Sequence, residues 1–174
     1  MSEDRRSKRM VAVINCALNH NARAARVARY PGMNTELVDV LVKHGAGVIQ
    51  MPCPEMVFMG LPRGDEGDPP ILEVLDTPEG RACCQQLAGP VVDSFEEYRR
   101  NGYEVLAILG GDVKSPGCAV PYPLTDDPAA WGVFMKALKQ EMARRGIDIP
   151  IRGLRDSAPE TLAEDLRWLE ARLA

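Results

Sequence analysis

The chain has only two histidines and no C-x-x-C pair. A structural zinc site wants four ligands, commonly in closely spaced pairs, and that arrangement is missing. There is no Ser/His/Asp set with readable spacing, no G-x-G-x-x-G and no P-loop. The sequence signals of a hydrolase triad, a dinucleotide site and a nucleoside triphosphatase are therefore absent. No apolar stretch approaches the roughly 20 residues of a membrane span. The basic N-terminus is not followed by the apolar segment of about 7–15 residues that a signal peptide needs. Internal repeats, long charge blocks and low-complexity linkers are also lacking.

These absences set the expectations. Residues 1–9 read as a basic solvated tail carrying Arg5, Arg6, Lys8 and Arg9, and residues 10–174 as one domain. Apolar residues at 45% against 26% charged ones indicate a chain that folds. A net charge of −4 repels phosphate chains, so a small molecule is expected as the partner rather than nucleic acid. A cytoplasmic monomer or homodimer with no membrane contact is the resulting picture. Thiols stay reduced in that compartment, so the five cysteines argue for metal binding or catalysis before disulfides.

Periodicity predicts an α/β fold. Strands are expected at 10–16, 47–52, 104–109 and 147–152. Helices are expected over much of 20–44, then at 78–101, 128–145 and 158–173. Asn34 is the expected cap for a helix whose core stripe is Leu37, Val38, Leu41 and Val42, with Gly45 and Gly47 ending it. Asp127 with Pro128 and, further on, Ser157 are the other expected caps, and Leu162, Leu166, Leu169 and Leu173 form the core face of the last helix. Residues 54–70, rich in glycine and proline, read as a long binding or lid loop. Apolar strands alternating with amphipathic helices mean a mostly parallel sheet in a single-domain three-layer sandwich, Rossmann-like or flavodoxin-like.

In such a sheet all strand C-termini lie along one edge, where ligands bind. Cys16, Cys53 and Cys118 fall at or just beyond three of those ends, so residues far apart in sequence are expected to meet. Three thiolates suit an iron–sulfur cluster with one iron left free of protein ligands, or a zinc site completed by His20, four positions past Cys16. Buried cysteine is also ordinary core material, and that is the expectation for Cys83 and Cys84, neighbours on a helix that point different ways. Beside a metal, Glu55 can act as a general base toward water; as a plain helix-start or loop carboxylate it accepts backbone N–H bonds. Ser115 and Lys114, in a glycine-rich loop with Asp112, reach a substrate or serve only the turn. Arg63 anchors a carboxylate or phosphate, or is a solvent-facing charge.

Cys16-Ala17-Leu18-Asn19, Cys53-Pro54-Glu55 followed by Gly60-Leu61-Pro62-Arg63, and Ser115-Pro116-Gly117-Cys118 together resemble the thiouracil desulfidase family over roughly residues 10–120. The resemblance implies a [4Fe-4S] cluster held by Cys16, Cys53 and Cys118, with the open iron taking sulfur from a thiocarbonyl substrate. It implies Glu55 and Ser115 in the chemistry and Asn19, Arg63 and Lys114 at the substrate. The last motif reads Ser-Pro-Gly-Cys-Ala where the family has Ser-Pro-Ser-Cys-Gly, and Asn19 stands for a usual glycine. This marks a divergent branch, and the implied substrate is a thiolated, thiouracil-like small heterocycle. The other readings are an iron–sulfur or redox-sensing protein without enzymatic activity, and a metal-free nucleoside- or nucleotide-binding domain using the Gly64 and Gly110 loops.

Overall fold

A computed structural model describes residues 3–174 of the chain. Met1 and Ser2 of the expected tail lie outside the described residues. The rest of that tail is exposed and free of regular structure up to Arg9, where the first strand begins.

Four parallel strands form the sheet: β1 (Arg9–Ile14), β2 (Gly47–Met51), β3 (Glu104–Gly110) and β4 (Ile151–Gly153). Their spatial order is β2-β1-β3-β4. β1 pairs with β2 from Met10↔Gly47 to Ile14↔Met51, and β3 pairs with β1 and β4. The central strands are apolar on both faces: Val11, Ala12, Val13, Ala107, Ile108 and Leu109 are all fully buried. Helices cover both faces of the sheet, which gives the three-layer, flavodoxin-like sandwich expected from the sequence.

The long helices are α2 (Thr35–Lys43), α5 (Pro78–Arg100), α6 (Val133–Arg144) and α7 (Pro159–Leu173). α5 packs on α6, and α2 on α7. Asn34 caps α2, its side-chain oxygen accepting the Leu37 N–H at 2.9 Å. Thr77 caps α5 in the same way through the Gly80 N–H, ahead of Pro78 in the first turn. Leu162, Leu166, Leu169 and Leu173 are buried along α7, as the i, i+3, i+4 pattern requires.

Several boundaries differ from those periodicity suggests. Only residues 35–43 of the expected helix at 20–44 belong to an α-helix, with a 3-10 turn at His20–Ala22 before it. Pro31-Gly32 break the backbone between the two. Of the predicted α2 stripe, Leu37 and Leu41 are buried, whereas Val42 is 74% exposed, because the core face of the helix runs through Leu37, Val40 and Leu41 and Val42 lies off it. Gly45, at φ +61°, ends α2, and Gly47 opens β2 instead. β4 is shorter and later than expected. The 128–145 segment is split into a 3-10 turn at Pro128–Ala130 and α6, with Trp131-Gly132 between them. Asp127 does cap, but it caps the short turn. Ser157 does not cap α7; its hydroxyl donates to Asp112 at 2.9 Å. α5 runs unbroken through Gly89-Pro90.

Candidate functional site

The strand order places a switch point between β1 and β3. The chain leaves β1 toward β2 on one side and leaves β3 toward β4 on the other. A crevice opens at the C-terminal ends of such a strand pair. Cys16 sits directly after β1, in the one-turn helix α1 (Asn15–Leu18). Cys118 follows the loop after β3, and its carbonyl accepts the Gly111 N–H at 2.7 Å, folding that loop back on the strand end. Cys53 follows β2 and is the N-cap of a short helix, α3 (Pro54–Met59).

The glycine- and proline-rich composition of 54–70 predicts a loop, and the segment instead opens with this helix. Proline at the first helical position signals it, because a residue there needs no N–H. The unusual part is the cap: the Cys53 sulfur accepts the Met56 N–H at 3.4 Å. A second short helix, α4 (Ile71–Leu75), closes the segment.

The three cysteine loops touch. A Cβ on Gly117 would stand 2.7 Å from Pro54 Cγ, so only glycine lets the Cys118 loop lie on the Cys53 helix. Glu55 Oε1 accepts the Gly117 N–H at 3.1 Å across the same contact. The thiols feel one another. Burial pushes Cys16 up to about 11, with a further contribution from Cys53. Burial raises Cys118 strongly, and Cys16 and Cys53 add to it. Cys53 is raised by burial as well. In the metal-free chain these are neutral thiols, so metal binding would release their protons.

Arg63 is the other fixed point. It is 3% exposed, so the solvent-facing reading of this residue is wrong. Its guanidinium donates to the Gly60, Leu61 and Ala22 carbonyls, the last at 2.7 Å. Nη2 lies 3.6 Å from the Cys53 sulfur, and Nε lies 3.5 Å from Glu55 Oε2. Through the Ala22 carbonyl Arg63 ties the Cys53 loop to the segment that follows Cys16. Glu55, itself 9% exposed, thus joins Arg63 to the Cys118 loop.

Other candidates sit at the rim. Ser115 Oγ accepts the Cys118 N–H at 3.2 Å. Lys114 is exposed, and its backbone N–H turns onto Asp112. Asn19 is exposed and caps the turn after α1 by accepting from Asn21. His20, the candidate zinc ligand, is buried. Its Nδ1 accepts the Arg29 and Tyr30 N–H groups at 3.2 and 3.3 Å, and its Nε2 is 3.8 Å from Asp156.

Arg23, unmarked in the sequence, and Cys84, expected in the core, also belong to this neighbourhood. Arg23 pairs with Asp156 and lies against Cys16. Cys84 is fully buried in α5 and close enough to Cys118 to raise it further. No motif marks either one. Cys83 is half-buried, in line with the two pointing different ways.

Do these residues fit an iron–sulfur cluster? Among the described residues, no three His, Cys, Asp or Glu side chains are grouped as ligands of one metal ion. A cluster makes a different demand, since its cysteines bind separate irons. The donor set suits one: three thiols converge, and the Nε–H groups of Arg23 and Arg63 beside them are buried without a hydrogen-bond partner. Orphaned buried donors are costly, and an acceptor-rich anionic group satisfies them.

Among the described residues no helix is long and apolar enough to cross a membrane. No family profile matches the chain, and no solved structure matches it. Over 103 residues, 59% of the chain, it is 34% identical to the uncharacterized protein MJ0003 of Methanocaldococcus jannaschii. The match spans 64% of that protein, whose name carries no activity, so the likeness is one of sequence alone.

Proposed function

We propose that the protein is an iron–sulfur-dependent desulfidase that removes sulfur from a thiolated small heterocycle. The observation that carries this reading is the meeting of Cys16, Cys53 and Cys118, from the ends of three different strands, beside two buried arginines. When bound, a [4Fe-4S] cluster on three cysteines supplies a thiophilic iron without a protein ligand, a Lewis acid for a thione sulfur.

The chain's own residues supply the rest. Cys16, Cys53 and Cys118 are the ligands. Arg63 and Arg23 offset the negative charge that thiolates bring into a largely buried site. The Ser115 hydroxyl holds the Cys118 loop by accepting the Cys118 N–H. Glu55, which binds the Cys118 loop and faces Arg63, is the candidate to take a proton from water. The net reaction turns C=S and water into C=O and sulfide, with no change of oxidation state. Asn19 and Lys114, exposed at the rim, are the remaining candidates for substrate contact. Such a cluster needs a reducing compartment, so the reading carries a cytoplasmic location with it.

A redox-sensing role fits less well. Sensor cysteines have lowered pKa values and open access, whereas burial pushes all three of these thiols upward.

The test is iron and acid-labile sulfide per chain in protein purified or reconstituted without oxygen, with an absorption spectrum and Cys53→Ser alongside. About four irons and four sulfides, lost in the variant, is the expected result. Sulfide release from 2-thiouracil and related thiones is the following assay. A folded protein that holds no iron overturns the proposal.

A further inference from the structure

Arg23 lies outside every motif named above, yet it is at the cysteines. Its guanidinium donates to both carboxylate oxygens of Asp156, which follows β4, and one Nη also donates to the Val27 carbonyl at 3.2 Å. The Arg23 and Asp156 side chains are only 14% and 4% exposed. Arg23 lies beside Cys16, and its neighbour Ala22 accepts from Arg63, the residue that reaches the Cys53 sulfur. His20 backs the pair. With two backbone N–H groups donating to Nδ1, its ring proton sits on Nε2, the atom that faces Asp156.

The same construction surrounds Cys53. There Arg63 reaches the sulfur, and Glu55 stands behind the guanidinium. Two of three candidate ligand sulfurs therefore each have a guanidinium beside them that faces a carboxylate. The two pairs come from unrelated parts of the chain, so the match is one of geometry.

We infer that Asp156 is a positioning residue: it holds the Arg23 guanidinium beside Cys16, so that this sulfur, like Cys53 with Arg63, has a fixed positive charge next to it. This rests on the cluster reading. A guanidinium held beside a ligand sulfur stabilises the more negative, reduced state of a cluster and raises its reduction potential.

The experiment measures iron content and reduction potential in anaerobically reconstituted wild type, Arg23→Gln, Arg23→Lys, Asp156→Asn and the Arg23→Gln/Asp156→Asn double variant. Both Arg23→Gln and Asp156→Asn shift the potential to more negative values, the double variant shifts it no further than Arg23→Gln alone, and Arg23→Lys recovers part of the shift. Lysine keeps the charge but loses the fork that fits Asp156. Asp156→Asn leaves a largely buried guanidinium unpaired; if it fails to fold, the double variant, which removes both charges and keeps both shapes, takes its place. Iron lost in Arg23→Gln and regained in Arg23→Lys also supports the inference.

Wild type without iron overturns the desulfidase reading and this inference with it. Wild type and variants that hold iron at one unchanged potential overturn the inference alone. A double-variant shift equal to the sum of the singles shows Asp156 acting without Arg23 and overturns the positioning role. So does iron lost alike in Gln and Lys variants, which reports a structural role only.

Discussion

Glu55 accepts the backbone N–H of Gly117 at 3.1 Å, across 62 positions of sequence. That one bond ties the helix capped by Cys53 to the loop that carries Cys118. The other carboxylate oxygen faces Arg63, and Arg63 holds the Ala22 carbonyl in the segment after Cys16. Three loops are thus connected through two side chains.

Glu55→Ala leaves the buried Arg63 charge without its carboxylate and the Gly117 N–H without an acceptor. Breaking a buried pair in this way costs about 3 kcal/mol. The expected outcome is a urea midpoint lowered accordingly, with iron retention lost. Glu55→Gln keeps an acceptor oxygen for Gly117 and is expected to fold better than the alanine variant, with sulfide release reduced if the carboxylate takes the proton.

Gly132→Ala and Gly89→Ala are expected to move stability in opposite directions. A Cβ on Gly132 would stand 2.4 Å from the Ala119 nitrogen and 2.5 Å from the Gly117 carbonyl, all backbone that holds the Cys118 loop. Overpacking there costs about 1–3 kcal/mol. A Cβ on Gly89 meets nothing within 4 Å. In the helix interior alanine is favoured over glycine by roughly 0.5–1 kcal/mol. Chemical denaturation of the two variants checks both signs.

Cys84→Ser places a hydroxyl in a fully buried apolar site on α5. Without a partner it costs about 1–3 kcal/mol. Cys83→Ser, half-buried on the neighbouring position, is expected within about 0.5 kcal/mol of wild type. Thermal denaturation of the metal-free proteins separates the two residues.

Glu164 gives the fold an acid limb. The Tyr122 hydroxyl, then Arg155 and Arg152, hold its carboxyl at about 2, against 4.5 for a free glutamate. A depressed folded pKa stabilises the protein fully above about pH 4.5, and the contribution fades as pH falls toward 2. Glu164→Gln is therefore expected to be less stable than wild type at pH 6, with the gap narrowing by pH 3. Urea midpoints at the two pH values measure it.

Much of the site was legible because its signals are local. Cysteine at the end of an apolar run needs only strand alternation to be placed at a sheet edge, and Cys16, Cys53 and Cys118 came to that edge. Pro54 beside Cys53 marks a helix start, but the cap is a sulfur, which the usual Ser, Thr, Asp or Asn signal does not include. Val42 shows the opposite failure, where an apolar residue at a plausible spacing was left in water. Glu55 and Arg63 stood in a recognisable motif, but nothing in the motif said that each would hold the other.

The sequence by itself determined the class of fold. Buried parallel strands are apolar on both faces, and helices between them show one apolar stripe, so the alternation is written into residue order. Only the tertiary structure decided that Arg23, Asp156 and His20 meet beside Cys16, that Gly117 lies on Pro54, and that Cys84 approaches Cys118. Those contacts join loops whose separation in sequence bears no relation to their distance in space. They depend on strand order and crossover hand, which no window of neighbouring residues encodes.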